Sequence, residues 1–269
     1  FKKGSKQDPG NYRPVSLTVQ ICKIFESIIR DAIVTFLKSN NLIRDSQHGF
    51  SKNRSCLTNL LTFLDKISCY VDKGVPVDVI YLDFKKAFDK VPHHRLLQKL
   101  QAHGVGGPIA TWIKNWLLNR QQRVVINGVN SDWSEVVSGV PQGSVLGPLL
   151  FVVYINDLES GLINEVLKFA DDSKLFGAVS SPEDVDKIRQ DLLKLSNWSD
   201  EWLMVFNEAK CKVMHLGHNN PRALYSINGY SLEETSEERD LGIVVQNNLK
   251  VSAQCSKVVK TANKILGMV

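Results

Sequence analysis

Two apolar stretches of this 269-residue chain end in carboxylates, a pattern that is costly for a folded protein unless the carboxylates have work to do. The first is Val79-Ile80-Tyr81-Leu82-Asp83. The second, Val166-Leu167-Lys168-Phe169-Ala170-Asp171-Asp172, continues into Ser173-Lys174-Leu175-Phe176 and reads as two short antiparallel strands with the aspartates in the turn. Adjacent fixed carboxylates repel and are expensive to desolvate, so they ordinarily accompany a cation. Their oxygens suit a hard, octahedral Mg²⁺, which keeps waters and takes substrate phosphate as further ligands. If Asp83 ends a neighbouring strand, three carboxylates converge, and two ions about 4 Å apart would activate an attacking hydroxyl and stabilise a leaving pyrophosphate. Taken alone, Asp-Asp is more often just a polar turn.

The elements that must position these groups alternate between helical and strand patterns. Residues 18–38 read as a helix, with Ile21, Phe25, Ile28, Ile29, Ala32, Phe36 and Leu37 on one face. Residues 57–70 give a second helix, and 77–82 a strand buried on both faces that ends at Asp83. Two helical segments fill 96–118, broken around 104–108, and Asn127-Gly128 signals a turn after a strand at 123–126. Residues 146–158 are again helical. Ser181-Pro182-Glu183-Asp184 supplies an N-cap, a first-turn proline and acidic residues for a helix running to about 203. Strands at 213–216 and 241–245 and a hairpin at Asn228-Gly229 then form a small sheet, and 251–266 closes as a helix.

Composition bounds the possibilities. With 43% hydrophobic and 23% charged residues the chain is globular and large enough for one sizeable domain or two packed lobes. No apolar run reaches the roughly 18–20 residues needed to span a bilayer, and the opening residues do not read as a secretory leader, so an intracellular protein with no membrane partner is expected. Cys22, Cys56, Cys69, Cys211 and Cys255 lack C-x-x-C spacing and are expected to be reduced and mostly buried. Net charge is +5, but residues 1–60 hold ten Lys and Arg against four Asp and Glu. The basic excess therefore sits at the N-terminal end, where it could meet phosphates.

The segments around the carboxylates carry a resemblance. Tyr81-Leu82-Asp83-Phe84-Lys85-Lys86-Ala87-Phe88-Asp89-Lys90-Val91, then Ser138-Gly139-Val140-Pro141-Gln142-Gly143-Ser144-Val145-Leu146-Gly147-Pro148, then Phe169-Ala170-Asp171-Asp172 resemble motifs A, B and C of reverse transcriptases, in order. Gly10-Asn11-Tyr12-Arg13-Pro14-Val15-Ser16-Leu17 and Gln47-His48-Gly49-Phe50-Ser51-Lys52-Asn53-Arg54-Ser55 resemble finger motifs of non-LTR (LINE-type) retrotransposons. Phe206-Asn207-Glu208-Ala209-Lys210-Cys211-Lys212 is similar to motif D, and Arg239-Asp240-Leu241-Gly242 to motif E. The likeness spans essentially the whole chain and is nearest to the chicken-repeat and jockey-like groups.

The resemblance implies an α/β (α+β) right-hand polymerase fold: helical fingers over 1–75, a palm of antiparallel sheet backed by helices over 76–250 with some finger elements inserted between A and B, and the start of a largely missing thumb at 251–269. It implies an RNA-directed DNA polymerase working with two Mg²⁺ ions (Mn²⁺ being an alternative) on an RNA template, a DNA primer and dNTPs, with an upstream endonuclease absent. Asp83, Asp171 and Asp172 match the metal ligands, and Lys210 the lysine that protonates pyrophosphate. Phe88 matches the aromatic residue that excludes a 2′-hydroxyl. Lys6, Arg13, Phe84, Gln142 and Gly143 fall at nucleotide-binding positions, Arg13 offering a bidentate guanidinium. Lys52, Arg54, Gly139 and Pro141 fall where nucleic acid is bound. His93-His94 lacks further ligands at a recognisable spacing and is not read as a metal site. An RNA-dependent RNA polymerase would more often place a polar residue at Phe88 and Gly at Ala170. A decayed palm that only binds nucleic acid would have lost a carboxylate, Phe88 or Gln142, and all are present.

Overall fold

The computed structural model describes residues 1, 4–7 and 11–268; Gly10, the first residue of the Asn11-Tyr12-Arg13 motif, lies outside them. Helices are α1 (Gln20–Ser39), α2 (Cys56–Asp72), α3 (Ala87–Lys90), α4 (His93–Ala102), α5 (Gly107–Leu117), α6 (Gly147–Tyr154), α7 (Pro182–Trp202) and α8 (Ser252–Leu266). Strands are β1 (Val77–Leu82), β2 (Gln121–Gln122), β3 (Val125–Ile126), β4 (Val129–Asn130), β5 (Ser134–Glu135), β6 (Glu165–Phe169), β7 (Asp172–Ala178), β8 (Lys212–Leu216), β9 (Ser226–Ile227), β10 (Tyr230–Ser231), β11 (Glu233–Glu234), β12 (Glu237–Asp240) and β13 (Ile243–Gln246). They fall into two compact units, one of residues 1–44, 86–157 and 202–204, the other of 45–85, 158–201 and 205–269.

The second unit is built on a five-stranded sheet in the order β11-β8-β1-β7-β6. The near-continuous apolar run of β1, broken only by Asp78, suits it to the central place: it pairs antiparallel with β7 on one side and β8 on the other. Val77 and Val79 share a core with Phe63 and Ile67 of α2, Phe176 of β7 and Met214 of β8. Buried Asp78, on the same strand, has its own polar shell, accepting hydrogen bonds from the His215 ring (2.6 Å), the Asn220 amide (2.7 Å) and the Tyr225 hydroxyl (2.6 Å). Burial and the neighbouring carboxylate push the Tyr225 hydroxyl pKa well up, so it stays a donor. The paired strands β12 and β13 turn through Leu241 (φ 46°) and Gly242 (φ 94°), two left-handed residues as a two-residue hairpin turn of this hand requires.

The first unit is helical, with a β-ribbon at 121–135 whose Asn127-Gly128 turn is also left-handed at both positions. Helix α1 departs from the sequence expectation. Its buried residues are Glu26, Ile33 and Leu37, while Ile21 is 80% and Ile28 62% exposed. The helix is where the periodicity puts it, rotated so that a charged residue faces in. The five cysteines are free, but the expectation that most are buried fails: Cys211 is buried and Cys22 partly so, whereas Cys56, Cys69 and Cys255 are exposed, on α2 and α8.

Candidate active site

In the second unit β6 and β7 form the expected hairpin, Phe169 pairing with Asp172 across a two-residue turn of Ala170 and Asp171. Asp83 follows β1 directly, and Leu82 pairs with Ser173. Continuing that antiparallel register by one residue sets Asp83 opposite Asp172, so two separate sequence segments deliver neighbouring carboxylates. Burial, followed by the charges of Asp171, Asp83 and Asp240, pushes the Asp172 carboxyl from its ordinary value up to about 6. Its side chain reaches solvent at the surface, so like-charge crowding contributes beside partial burial.

Lys210 meets this acidic cluster directly. Asn207 N–H donates to the Asp83 carbonyl (2.7 Å), Lys85 N–H to the Val205 carbonyl (2.8 Å), and Phe84 and Phe206 bridge between them. This lacing holds the short turn Glu208–Lys210 beside the end of β1, and the Lys210 ammonium donates to Asp83 Oδ2 at 2.6 Å. Lys85 likewise binds Glu208 at 2.7 Å and keeps that carboxyl below its ordinary range. Among the described residues no three His, Cys, Asp or Glu side chains close into a ready-made metal cage. The donor set still fits Mg²⁺, an ion held by one or two carboxylates together with waters and phosphate. Asp83, Asp171 and Asp172 are the residues that would hold it.

A recess of about 300 Å³ opens beside the cluster, lined by Tyr81, Asp172, Lys174, Lys210 and Arg239 among others. Its wall contains a buried ion pair between Lys174 of β7 and Asp240 of β12, both side chains about 5% exposed. The Lys174 ammonium also lies 4.4 Å from the centre of the Phe63 ring. This pair ties the hairpin of Asp171 and Asp172 to the Arg239-Asp240-Leu241-Gly242 segment.

The Gln47-His48-Gly49 segment has a structural role that sequence reading missed. Gln47 Oε1 accepts the N–H groups of Gly49 (2.7 Å) and of Ala170 (3.0 Å), the hairpin residue held at φ 55°. His48 N–H donates to the Lys168 carbonyl at 2.9 Å, and Lys168 N–H to the Ser46 carbonyl at 2.9 Å. A Cβ on Gly49 would lie 2.3 Å from the Ala170 nitrogen. The segment is therefore a strap across the base of the hairpin tip. Arg54 supports it, one guanidinium nitrogen donating to His48 Nε2 (3.0 Å) and another to Asp45 (3.2 Å). Burial and Arg54 lower the His48 pKa, which keeps the ring neutral and leaves Nδ1–H to donate to Thr58 Oγ1 at 2.9 Å. Lys52 is exposed.

The other sequence-derived positions lie in the first unit, except Phe84. Phe88 stacks on Phe151 at 4.3 Å. Gln142 donates from Nε2 to Asp89 Oδ1 (2.7 Å), and its carbonyl accepts Ser16 N–H (2.8 Å), which brings the segment after Arg13 to the loop of motif B. Gly139, at φ 93°, passes so close to Phe88 and Asp89 that a Cβ would sit 2.8 Å from their backbone; Gly143, at φ 91°, faces open space but for Ser16 and Val15. His93 uses Nε2 on the Gly139 carbonyl (2.8 Å). Arg13 and Lys6 are exposed, the Lys6 ammonium lying 6.0 Å from the Phe1 ring centre. The Phe84 ring is buried against Phe206 at 4.5 Å, and Pro141 is buried with its carbonyl accepting from Ser144.

A mostly antiparallel sheet whose central strand and hairpin carry the acidic cluster, with motifs A to E in order along the chain, is the pattern of a nucleic-acid polymerase palm. The chain belongs to the reverse transcriptase (RNA-dependent DNA polymerase) family, whose profile matches residues 2–268. It is 26% identical over 261 residues to a probable RNA-directed DNA polymerase from transposon X-element of Drosophila melanogaster, covering 94% of this chain and 28% of that protein. It is 29% identical over 252 residues to the RNA-directed DNA polymerase from mobile element jockey of Drosophila funebris, covering 90% of this chain and 27% of that protein. The chain thus spans little more than a quarter of the length of these relatives. Apo telomerase from Candida tropicalis shares the fold, with a TM-score of 0.57 at 13% identity over 84% of this chain and 40% of that one.

Proposed function

We propose that this chain extends a DNA 3′-hydroxyl on an RNA template with dNTPs, as the reverse transcriptase of a non-LTR retrotransposon. The carrying observation is the acidic cluster itself: Asp83 set by register opposite Asp172, with Asp171 in the adjoining turn, where burial and then the neighbouring carboxylates raise Asp172 to about 6. Two Mg²⁺ ions, when bound by Asp83, Asp171 and Asp172, supply activation of the primer hydroxyl and charge neutralisation on the triphosphate. Lys210, whose ammonium pairs with Asp83, gives a proton to the leaving pyrophosphate in this reading, once phosphate competes for it. Phe88, made rigid by its stack on Phe151, excludes a ribose 2′-hydroxyl, while Gln142 and Gly143 receive the nucleotide and Arg13 its phosphates. Lys52 and Arg54 serve template phosphates by charge. In this reading residues 1–75 act as fingers, 76–250 as palm and 251–269 as the start of a thumb.

The test is primer extension on a homopolymer RNA template with Mg²⁺. Incorporation of the complementary dNTP and not its rNTP is expected; equal incorporation of both would favour an RNA polymerase, and none with either nucleotide would favour a palm that only binds.

A further inference from the structure

The motif B loop needs a fixed rear end, and the structure supplies it from an unexpected residue. Helix α1 presents one buried stripe of Glu26, Ile33 and Leu37, and Glu26 is fully buried. A carboxylate at a position suited to Leu is expensive to desolvate unless hydrogen bonds replace its water. Here all four of its partners are neutral donors. Oε2 accepts the backbone N–H of Val145 at 2.7 Å and of Leu146 at 3.2 Å. Oε1 accepts the indole N–H of Trp116 at 3.2 Å and the Cys22 thiol at 3.4 Å.

Those two amides lie where the Gly139–Val145 stretch meets helix α6, whose first residue is Gly147. The stretch contains left-handed glycines at 139 and 143, so its own backbone resists bending little. Its front is pinned by Gly139 N–H to the Val91 carbonyl (2.8 Å) and Val140 N–H to the Phe88 carbonyl (2.7 Å). Its middle is pinned by Ser16 N–H on the Gln142 carbonyl. Only one residue, Ser144, separates Gly143 from the amides that Glu26 holds. The negative charge also faces the amino-terminal end of α6, where the helix dipole favours it.

We infer that Glu26 is a positioning residue for nucleotide selection: its buried carboxylate fixes the rear of the motif B loop so that Gln142 and Gly143 meet the incoming nucleotide in one geometry. The inference rests on the proposed role of Gln142 and Gly143 in nucleotide binding. Glu26→Gln removes half of the acceptor capacity and sets an NH₂ group against existing N–H donors. The Gln142 side chain keeps Asp89 and its carbonyl keeps Ser16 N–H, but the loop behind Gly143 loses its rear anchor.

Single-nucleotide extension on primed RNA tests this with five variants of the full chain. Glu26→Gln should raise the dNTP KM at least tenfold with kcat within about threefold, and Glu26→Asp, which keeps the charge, should recover part of the loss. Trp116→Phe removes a donor to the same carboxylate without touching the loop and should leave KM near wild type. In a Gln142→Ala background, Glu26→Gln should add less than threefold, because residues acting through one loop are not additive. An unchanged KM in Glu26→Gln, or a full additive effect on top of Gln142→Ala, would overturn the inference while leaving the reading of motif B intact. A Gln142→Ala enzyme with wild-type KM would overturn that reading and the inference together. If Glu26→Gln does not fold, Glu26→Asp carries the same comparison.

Discussion

Replacing Asp240 by Ala strands the Lys174 ammonium where water scarcely reaches. The pair joins β7 to β12, and both side chains are about 5% exposed. Burial already pulls the Lys174 pKa below its ordinary value, with Asp240 as the main charge opposing that pull. Losing one partner of a buried pair typically costs about 3–5 kcal/mol, because the remaining charge is left uncompensated. For a domain of 150–250 residues, each kcal/mol moves the midpoint by roughly 2–4 °C, so Asp240→Ala should lower it by about 6–20 °C. Lys174→Met should fall by a similar amount. The double variant Lys174→Met/Asp240→Leu removes both charges at once and should recover most of the loss, since an apolar pair of similar volume often replaces a buried ion pair at little net cost. Thermal melts followed by circular dichroism, with denaturant titration as a check, measure all three. Single variants that each cost under about 1 kcal/mol, or a double variant as unstable as the sum of the singles, would show that the pair is solvated and not a tie between the two hairpins.

Three further outcomes are expected. Gly49→Ala, whose Cβ would sit 2.3 Å from the Ala170 nitrogen, should displace the hairpin tip and reduce primer extension at least tenfold, while Gly106→Ala, where a Cβ meets open space on extended backbone, should leave it unchanged; equal activities would remove the strap from the account. Phe88→Ala should lose most discrimination against rNTPs, measured as the ratio of kcat/KM values, and a steric gate of about 3 kcal/mol corresponds to roughly a hundredfold change; retained selectivity would return Phe88 to a packing role on Phe151. The Asp172 carboxyl, raised to about 6 in the folded state against an ordinary 3.8, makes the folded state bind the extra proton, so stability falls as pH rises through that window. Without divalent cation, Asp172→Asn should therefore melt higher than wild type at pH 7.5 but not at pH 4, and Mg²⁺ should raise the wild-type midpoint more at pH 7.5 than at pH 5; a pH-independent Mg²⁺ effect would contradict the coupling.

Legibility followed apolar pattern closely and failed where polar groups face inward. Strand β1 was readable to the residue because a run of Val, Ile, Tyr and Leu interrupted only by Asp78 admits one assignment between Pro76 and Asp83. The hairpin carrying Asp171 and Asp172 was readable for the same reason. Strand β12 was not, because Glu237-Glu238-Arg239-Asp240 is stabilised by its β13 partner and the Lys174 tie and has no hydrophobic signature. Glu26, Gln47 and Asp78 were invisible as organising residues, since periodicity assigns a polar side chain to the solvent face and only the fold reveals the amides and hydroxyls that replace water. The same blindness misassigned the inner face of α1. A better sequence signal existed: Glu26 continues the stripe of Ile33 and Leu37 at seven- and four-residue spacing, and a lone carboxylate on a buried stripe is worth testing as a clamp.

The central claim is that Asp83, Asp171 and Asp172 form one metal-dependent polymerase centre, and the rate of single-nucleotide extension by Asp171→Ala tests it most directly. At saturating Mg²⁺, dNTP and primed RNA, with the melting midpoint confirming an intact fold, the rate should fall at least about a thousandfold, equivalent to roughly 4 kcal/mol of transition-state stabilisation. A rate within tenfold of wild type in a folded Asp171→Ala protein would contradict the account.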